Sequence, residues 1–213
     1  MSAPALFDIK HSNIELHGIP LSDFWKIPSS KGDDVIWNVV LAYLNSFPLT
    51  SKKELIQRMQ YLTGQQRINE NIKNSLEICN PYLHRNAGFC DKAISELVVV
   101  FKERVKDYIK NNNTLFQILD ENVMYIHAAS DLLKCNIVLI SFPFQCRIRF
   151  TLFPLAYGQN QPAVYPKRII LFREVISTSG NRSIQIKFSY GIPKEIGVLK
   201  QRQALAEILR RAR

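Results

Sequence analysis

The sequence predicts an α+β fold in which helices pack on a small, mostly antiparallel sheet. Apolar residues first repeat every three or four positions, as in helices, and later alternate or form short runs, as in strands. The period changes within one stretch, because residues 125–133 have helical spacing and residues 137–140, Ile-Val-Leu-Ile, form a short apolar run. Helices followed by a nearly consecutive series of strands are typical of α+β domains.

The predicted helices begin at residues that favour helix N-termini. Asp33 and Asp34 precede the apolar segment 35–44, which ends before Pro48, and hydroxyl residues precede a second helix over 53–62. A long helix is predicted from Asp91 to about Asn111, where consecutive asparagines end it. The helix over 125–133 then leads into the strand over 137–140.

Three more strands are predicted after this central helix and strand. Residues 147–153 alternate between polar and apolar side chains, and residues 168–172 and 183–190 have strand-like spacing. The domain organisation follows from these elements. Residues 1–31 are an extended lead-in, residues 32–192 form one domain with an insertion at about 45–95, and residues 193–213 form a basic amphipathic helix.

The chain is strongly basic, with 28 Lys and Arg against 18 Asp and Glu and a formal charge of +10. Such an excess favours nucleic acid, an anionic membrane or an acidic protein as partner, and the equal alternative is a basic surface that is solvated and keeps the protein soluble. The last 20 residues hold six basic and two acidic residues. The predicted basic patch on this helix consists of Lys200, Arg202, Arg210, Arg211 and Arg213; the alternative is a terminal helix docked on the domain with its basic face in solvent.

Several classes of protein are not expected. The cysteines, Cys79, Cys90, Cys135 and Cys146, form no C-x-x-C pair, so neither a metal site nor a cofactor is predicted. The N-terminus lacks a secretory signal pattern, and no apolar segment approaches the roughly 20 residues of a membrane span. We therefore expect an intracellular protein of the cytoplasm or nucleus.

Three segments carry a family resemblance. These are residues 32–40 (Gly-Asp-Asp-Val-Ile-Trp-Asn-Val-Val), residues 101–111 (Phe-Lys-Glu-Arg-Val-Lys-Asp-Tyr-Ile-Lys-Asn) and residues 125–140. Their order resembles the ovarian-tumour (OTU) family of deubiquitinating cysteine proteases, which have a papain-like fold. The resemblance covers roughly residues 30–192, and similar degenerate patterns occur in the OTU-like region of vertnin and in mobile-element proteins. It implies a papain-like fold for this chain.

The resemblance also implies that the catalytic residues are lost. In this family a cysteine that opens a buried helix attacks the isopeptide carbonyl, and a late histidine activates it. Val35 occupies the nucleophile position here, and Ser189 of Ser189-Tyr190 falls where the histidine is expected. Two independent losses indicate a pseudoenzyme.

Cys90 is the alternative nucleophile, because it is expected just before a helix, where a thiol pKa is lowered. Against this, Asp91 and Lys92 follow it in place of an apolar pair, and the histidines, at 11, 17, 84 and 127, all precede the late strands. His127 is expected at the surface with Asp131 as its helical neighbour. Cys135 is expected to be a small core residue.

We therefore predict a catalytically inactive OTU-like domain that acts as a protein-interaction module, with ubiquitin or a related protein as the expected partner. The second hypothesis is a basic scaffold protein associated with nucleic acid through its C-terminal helix. The third is an active deubiquitinating protease that uses a displaced Cys90.

Overall fold

The computed structural model describes residues 7–8, 15–16, 19–20, 24–27, 29, 31–46, 52–65, 87–112, 120–142, 149–155, 165, 167–177 and 184–194. Within these residues the chain forms four helices: α1 (Val35–Asn45), α2 (Lys52–Thr63), α3 (Ala87–Asn111) and α4 (Glu121–Leu133). The eight strands there are β1 (Phe7–Asp8), β2 (Glu15–Leu16), β3 (Ile19–Pro20), β4 (Phe24–Ile27), β5 (Cys135–Phe142), β6 (Arg149–Phe153), β7 (Lys167–Ser177) and β8 (Ile184–Pro193).

Six of the strands form one sheet in the order β1-β4-β8-β7-β5-β6, and β2 and β3 form a separate pair. Every neighbouring pair in the large sheet is antiparallel except β5 and β7, which are parallel. The predicted α+β class with a mostly antiparallel sheet is confirmed. Strands β1 and β4 come from the predicted lead-in and extend the sheet beyond β8.

One face of the sheet carries the main core. Helix α1 is its central element, because every residue of the helix except Leu41 is buried. Its side chains join those of α3, α4 and alternate residues of β5, β7 and β8, such as Leu139, Leu171 and Phe188, in one apolar cluster. The other face carries a smaller buried cluster formed by Val138, Ile140, Ile170 and Phe172. Successive residues of a strand point to opposite faces, so this division fixes the face of every sheet residue.

Helix α3 is hydrogen-bonded to the C-terminal end of helix α2. Gly64 follows the helix with a φ of +70°, a conformation that glycine adopts at low cost, and its N–H donates to the carbonyl of Gln60 at 2.7 Å. The Arg104 guanidinium of α3 donates to the carbonyl oxygens of Tyr61 and Leu62. The last carbonyls of α2 therefore accept hydrogen bonds both from the residue that follows the helix and from Arg104 of α3.

Among the described helices, none combines the length and the apolar composition needed to cross a membrane. The predicted C-terminal helix over 193–213 lies outside the described residues, apart from Pro193 and Lys194. About half of the predicted insertion over 45–95 also lies outside the described residues; the described half includes α2 and the first turns of α3.

Candidate functional site

The loop that opens α1 lies against strand β8. The N–H of Phe188 donates to the carbonyl of Gly32 at 2.5 Å. A Cβ atom on Gly32 would lie 3.4 Å from the carbonyl oxygen of Phe188, so the two backbones approach closely. Val35 is the first residue of the helix and is only 3% exposed. The structure thus brings the segment proposed to hold the nucleophile position next to the late strand.

The start of α1 is held by its own polar groups. Asp34 caps the helix, since its side chain accepts from the N–H of Trp37 at 3.1 Å, and its other carboxylate oxygen lies 3.7 Å from Lys102 Nζ. Asn38 Nδ2 donates to the carbonyls of Lys31 and Asp34 at 3.1 and 2.8 Å. The negative carboxylate of Asp34 therefore already occupies the position where a helix N-terminus would stabilise an anion.

The Trp37 ring is covered by Lys31, whose Nζ lies 4.0 Å from the ring centroid. This cation–π contact fixes the same loop on a second side. Two buried polar atoms near it, Trp37 Nε1 and Asn38 Oδ1, have no hydrogen-bond partner among the described residues. A buried donor or acceptor without a partner costs about 1–3 kcal/mol of folding stability, so these two atoms make the start of α1 less stable than a fully hydrogen-bonded helix start would be.

Ser189 does not face α1. It pairs in register with Phe172, which belongs to the smaller apolar cluster on the other face of the sheet. Ser189 is 5% exposed, and its Oγ has no hydrogen-bond partner among the described residues. The sheet therefore separates Val35 from Ser189, although Gly32 contacts the residue next to Ser189.

Phe188 is the residue of β8 that faces the start of α1, and it shares the main apolar cluster with Val35. Sequence reasoning matched Ser189 to the family histidine and missed Phe188. The alternation of Ile186, Phe188 and Tyr190 was the available signal, because these residues mark the apolar face of the predicted strand. Neither Phe188 nor Val35 has a group that can exchange a proton.

Cys90 lies inside α3, not before it. The helix begins at Ala87, four residues ahead of the predicted start at Asp91, so Cys90 is the fourth residue of the first turn. The earlier start has a local reason, because Ala87 is a strong helix former and residues 87–90 contain no proline. The side chain of Cys90 lies outside the described residues, as do Lys200, Arg202, Arg210, Arg211 and Arg213 of the predicted basic patch.

His127 is buried, and the prediction that it is a surface residue is wrong. It is 3% exposed, because the segment after β6 packs on its side of α4: the N–H of Leu155 donates to His127 Nδ1 at 2.9 Å. His127 Nε2 lies 3.5 Å from Asp131 Oδ2, so the predicted helical neighbour is confirmed. Burial lowers the pKa of His127, and the charge of Asp131 opposes this shift.

Asp131 joins three parts of the fold. Its two carboxylate oxygens accept hydrogen bonds from the Tyr108 and Tyr165 hydroxyls, each at 2.8 Å. Burial and this carboxylate together raise the pKa of Tyr108 to about 12, and they raise the pKa of Tyr165 as well. Asp131 therefore forms a cluster with Tyr108, His127 and Tyr165 that links α3, α4 and the segment before β7. The hydrogen bonds of this cluster hold these three parts of the chain together.

Cys135 is a core residue, as predicted. It is fully buried, and burial raises the pKa of its thiol to about 12, although the charge of Lys167 opposes this.

Within the described parts of the chain, no group of three or more His, Cys, Asp and Glu side chains could hold a metal ion. An open cavity of about 440 Å³ lies between α3 and α4, lined by Lys106, Ile109, Lys110, Glu121, Met124 and Tyr125.

No model of a known protein family matches the chain, and a search of curated proteins found no significant relative.

Proposed function

We propose that the chain is an OTU-like domain without protease activity, which acts through protein interaction inside the cell, in the cytoplasm or nucleus. Ubiquitin or a related protein is the proposed partner. The observation that carries this proposal is the pair of side chains at the start of α1: Val35 on the helix and Phe188 on the adjoining strand, both in the apolar core.

The chemistry of a cysteine protease needs a thiolate and a base that keeps it activated. A valine side chain has no atom that attacks a carbonyl, and phenylalanine neither accepts nor donates a proton. The other described candidates are already engaged in the fold. Cys135 is fully buried with a raised thiol pKa, and both nitrogens of His127 face partners in α4 and the segment after β6.

The positions of the three resembling segments support an OTU-like arrangement. Residues 32–40 open the central buried helix, residues 101–111 form the second half of α3, and residues 125–140 form most of α4 and β5. The first segment lies against β8, the strand in which the family histidine would fall. The α+β fold class is compatible with a papain-like domain.

Several exposed apolar side chains are available to contact a protein partner. Val99 of α3, Tyr61 of α2 and Ile184 at the start of β8 are each at least half exposed. An interface built on such residues buries apolar area and depends little on salt.

The proposal is tested by cleavage and binding assays on the full chain. We expect no cleavage of di-ubiquitin, and we expect chemical-shift changes when ubiquitin is titrated into labelled protein. The dissociation constant should change little between low and high salt. Cleavage that survives purification and disappears in Cys90→Ala would contradict the proposal, and absence of ubiquitin binding would remove ubiquitin as the partner.

Nucleic-acid association is the second candidate, favoured by the six basic and two acidic residues from Lys194 to Arg213. Phosphate contacts release counterions, so the affinity for an oligonucleotide should fall steeply with salt concentration. Truncation after Pro193 should abolish this binding if the C-terminal segment carries it. Oligonucleotide binding that is insensitive to salt and truncation would argue against this candidate.

A further inference from the structure

A row of side chains crosses four strands at one end of the sheet. Arg149 of β6 pairs in register with Ser141 of β5, Ser141 pairs with Arg173 of β7, and Arg173 pairs with Phe188 of β8. Residues that pair in register lie on the same face of a sheet. Because Phe188 faces α1, the whole row lies on the helix-facing side of the sheet, and its Phe188 end adjoins the loop that opens α1.

The charges of the two arginines in this row are not balanced by an ion pair among the described residues. Neither Arg149 nor Arg173 forms an ion pair or a side-chain hydrogen bond within the described parts of the chain, and Arg173 Nε is buried without a partner. The carboxylate nearest in sequence, Glu174, projects from the opposite face, where it pairs with Lys26. A buried polar atom of a charged group is normally satisfied, so Arg173 Nε is a donor that a bound anion could engage.

The spacing of the row suits an anion. Neighbouring strands are about 4.8 Å apart, so the backbones of Arg149 and Arg173 are about 10 Å apart with Ser141 between them. Long arginine side chains on either side of a serine hydroxyl can reach one group held above it. The planar guanidinium makes paired hydrogen bonds to phosphate, and the hydroxyl supplies a third donor.

The charge of the row favours a phosphate monoester. Such a group carries about −1.5 to −2 charges at pH 7, which two arginines balance. A nucleic-acid backbone needs an extended basic track, whereas this row offers two arginines on strands separated only by β5. We propose that Arg149, Ser141 and Arg173 form a binding site for a phosphorylated serine or threonine side chain of a protein partner. The proposal rests on the interaction function above and names the chemistry of the partner.

The test uses side-chain NMR of the full chain with three probes: inorganic phosphate, a short phosphoserine peptide and its unphosphorylated twin. We expect the Nε–H resonance of Arg173 to shift with phosphate and with the phosphopeptide, and not with the twin. Arg173→Gln and Arg149→Gln should each weaken phosphopeptide binding about tenfold or more, because each removes charge-assisted hydrogen bonds. Ser141→Ala should weaken it less.

The matched control is Arg168→Gln. Arg168 lies on the same strand as Arg173, but it pairs with Asn136 at the other end of the sheet and projects from the opposite face. This control should bind the phosphopeptide like the wild type. Equal losses in all three arginine variants would show non-specific charge attraction and overturn the proposal, as would absence of any shift at Arg173.

A single-stranded oligonucleotide distinguishes the source of the phosphate. If it binds in competition with the phosphopeptide and with higher affinity, the protein source is wrong and the row belongs to a nucleic-acid surface. The proposed function fails separately, because di-ubiquitin cleavage is measured without phosphate. A protein that neither cleaves ubiquitin nor binds phosphate would retain the proposed function and refute the phosphate site.

Discussion

Replacing Asp131 should remove the hydrogen bonds that join α4 to α3 and to the segment before β7. Its carboxylate accepts hydrogen bonds from Tyr108 and Tyr165, both at 2.8 Å. A hydrogen bond to a charged acceptor contributes about 1.5–3 kcal/mol to stability, and both side chains here are half-buried, so we take the lower value for each. Asp131→Ala should therefore lower the free energy of unfolding by about 3 kcal/mol.

Urea unfolding followed by circular dichroism measures this loss. With a denaturant slope of about 2 kcal/mol per molar, the midpoint should fall by about 1.5 M. Tyr108→Phe and Tyr165→Phe should each cost about 1.5 kcal/mol in the wild type. In the Asp131→Ala background the same tyrosine substitutions should cost clearly less than in the wild type, because the carboxylate acceptor is already absent.

The double-mutant comparison decides whether this reasoning holds. If Tyr108→Phe lowers stability equally with and without Asp131, the loss comes from packing and the carboxylate does not join the helices. A midpoint for Asp131→Ala within about 0.2 M of the wild type, about 0.4 kcal/mol, would refute the estimate directly.

Three further predictions concern other described positions. The pKa of His127 is lowered in the folded state, so its contribution is complete above the unfolded pKa of 6.5 and is lost as the pH falls through the folded pKa; urea midpoints should fall between pH 7.5 and pH 5. Gly64→Ala should cost about 1–2 kcal/mol in thermal unfolding, because the residue has a positive φ and its Cβ would lie 2.6 Å from Arg104 Nε. Asp34→Ala should cost about 1 kcal/mol by removing the cap of α1, measured by urea unfolding.

Each of these predictions has a matched control. His127→Asn keeps an acceptor near Leu155 and cannot titrate, so its midpoint should depend less on pH; an unchanged pH dependence would exclude His127 as the cause. Gln65→Ala changes an exposed neighbour of Gly64 and should be neutral. Asp33→Ala alters the adjacent carboxylate, which does not cap α1, so equal losses in Asp33→Ala and Asp34→Ala would contradict the capping argument.

The sequence was informative where a local rule decides the structure. The helix start at Val35 follows from the acidic residues before it, and the structure shows Asp34 as the cap. The change from helical to strand-like spacing after Leu133 places the junction of α4 and β5, because both periodicities are read within one short segment, whereas α4 begins earlier, at Glu121, and β5 extends to Phe142.

The sequence failed where distant segments meet. His127 lies off the apolar stripe of its helix, and it is buried where the segment after β6 packs on α4 and the N–H of Leu155 donates to His127 Nδ1. Arg58 is similar: it is 1% exposed within α2 because its guanidinium donates to the carbonyl of Leu44 in α1. Polar residues can be buried when a remote backbone group satisfies them, and hydrophobic spacing contains no information on such partners.

One part of the candidate site could be predicted from the sequence, and another part could not. The identity of Val35 at the start of a buried helix is readable from the sequence, since it depends on a motif and a cap. The row from Arg149 to Arg173 is not readable, because it depends on the register of three strands that are separated along the chain. A shift of one residue in β7 would move Arg173 to the other face.

The most direct test of the central claim is the reaction of the wild-type protein with ubiquitin that carries a thiol-reactive group at its C-terminus. Intact mass spectrometry detects a covalent adduct, and Cys90→Ala and Val35→Ala are the paired variants. The inactive-domain account predicts no adduct with any of the three proteins. An adduct that forms with the wild type and Val35→Ala and disappears only in Cys90→Ala would contradict the account and establish Cys90 as a displaced nucleophile.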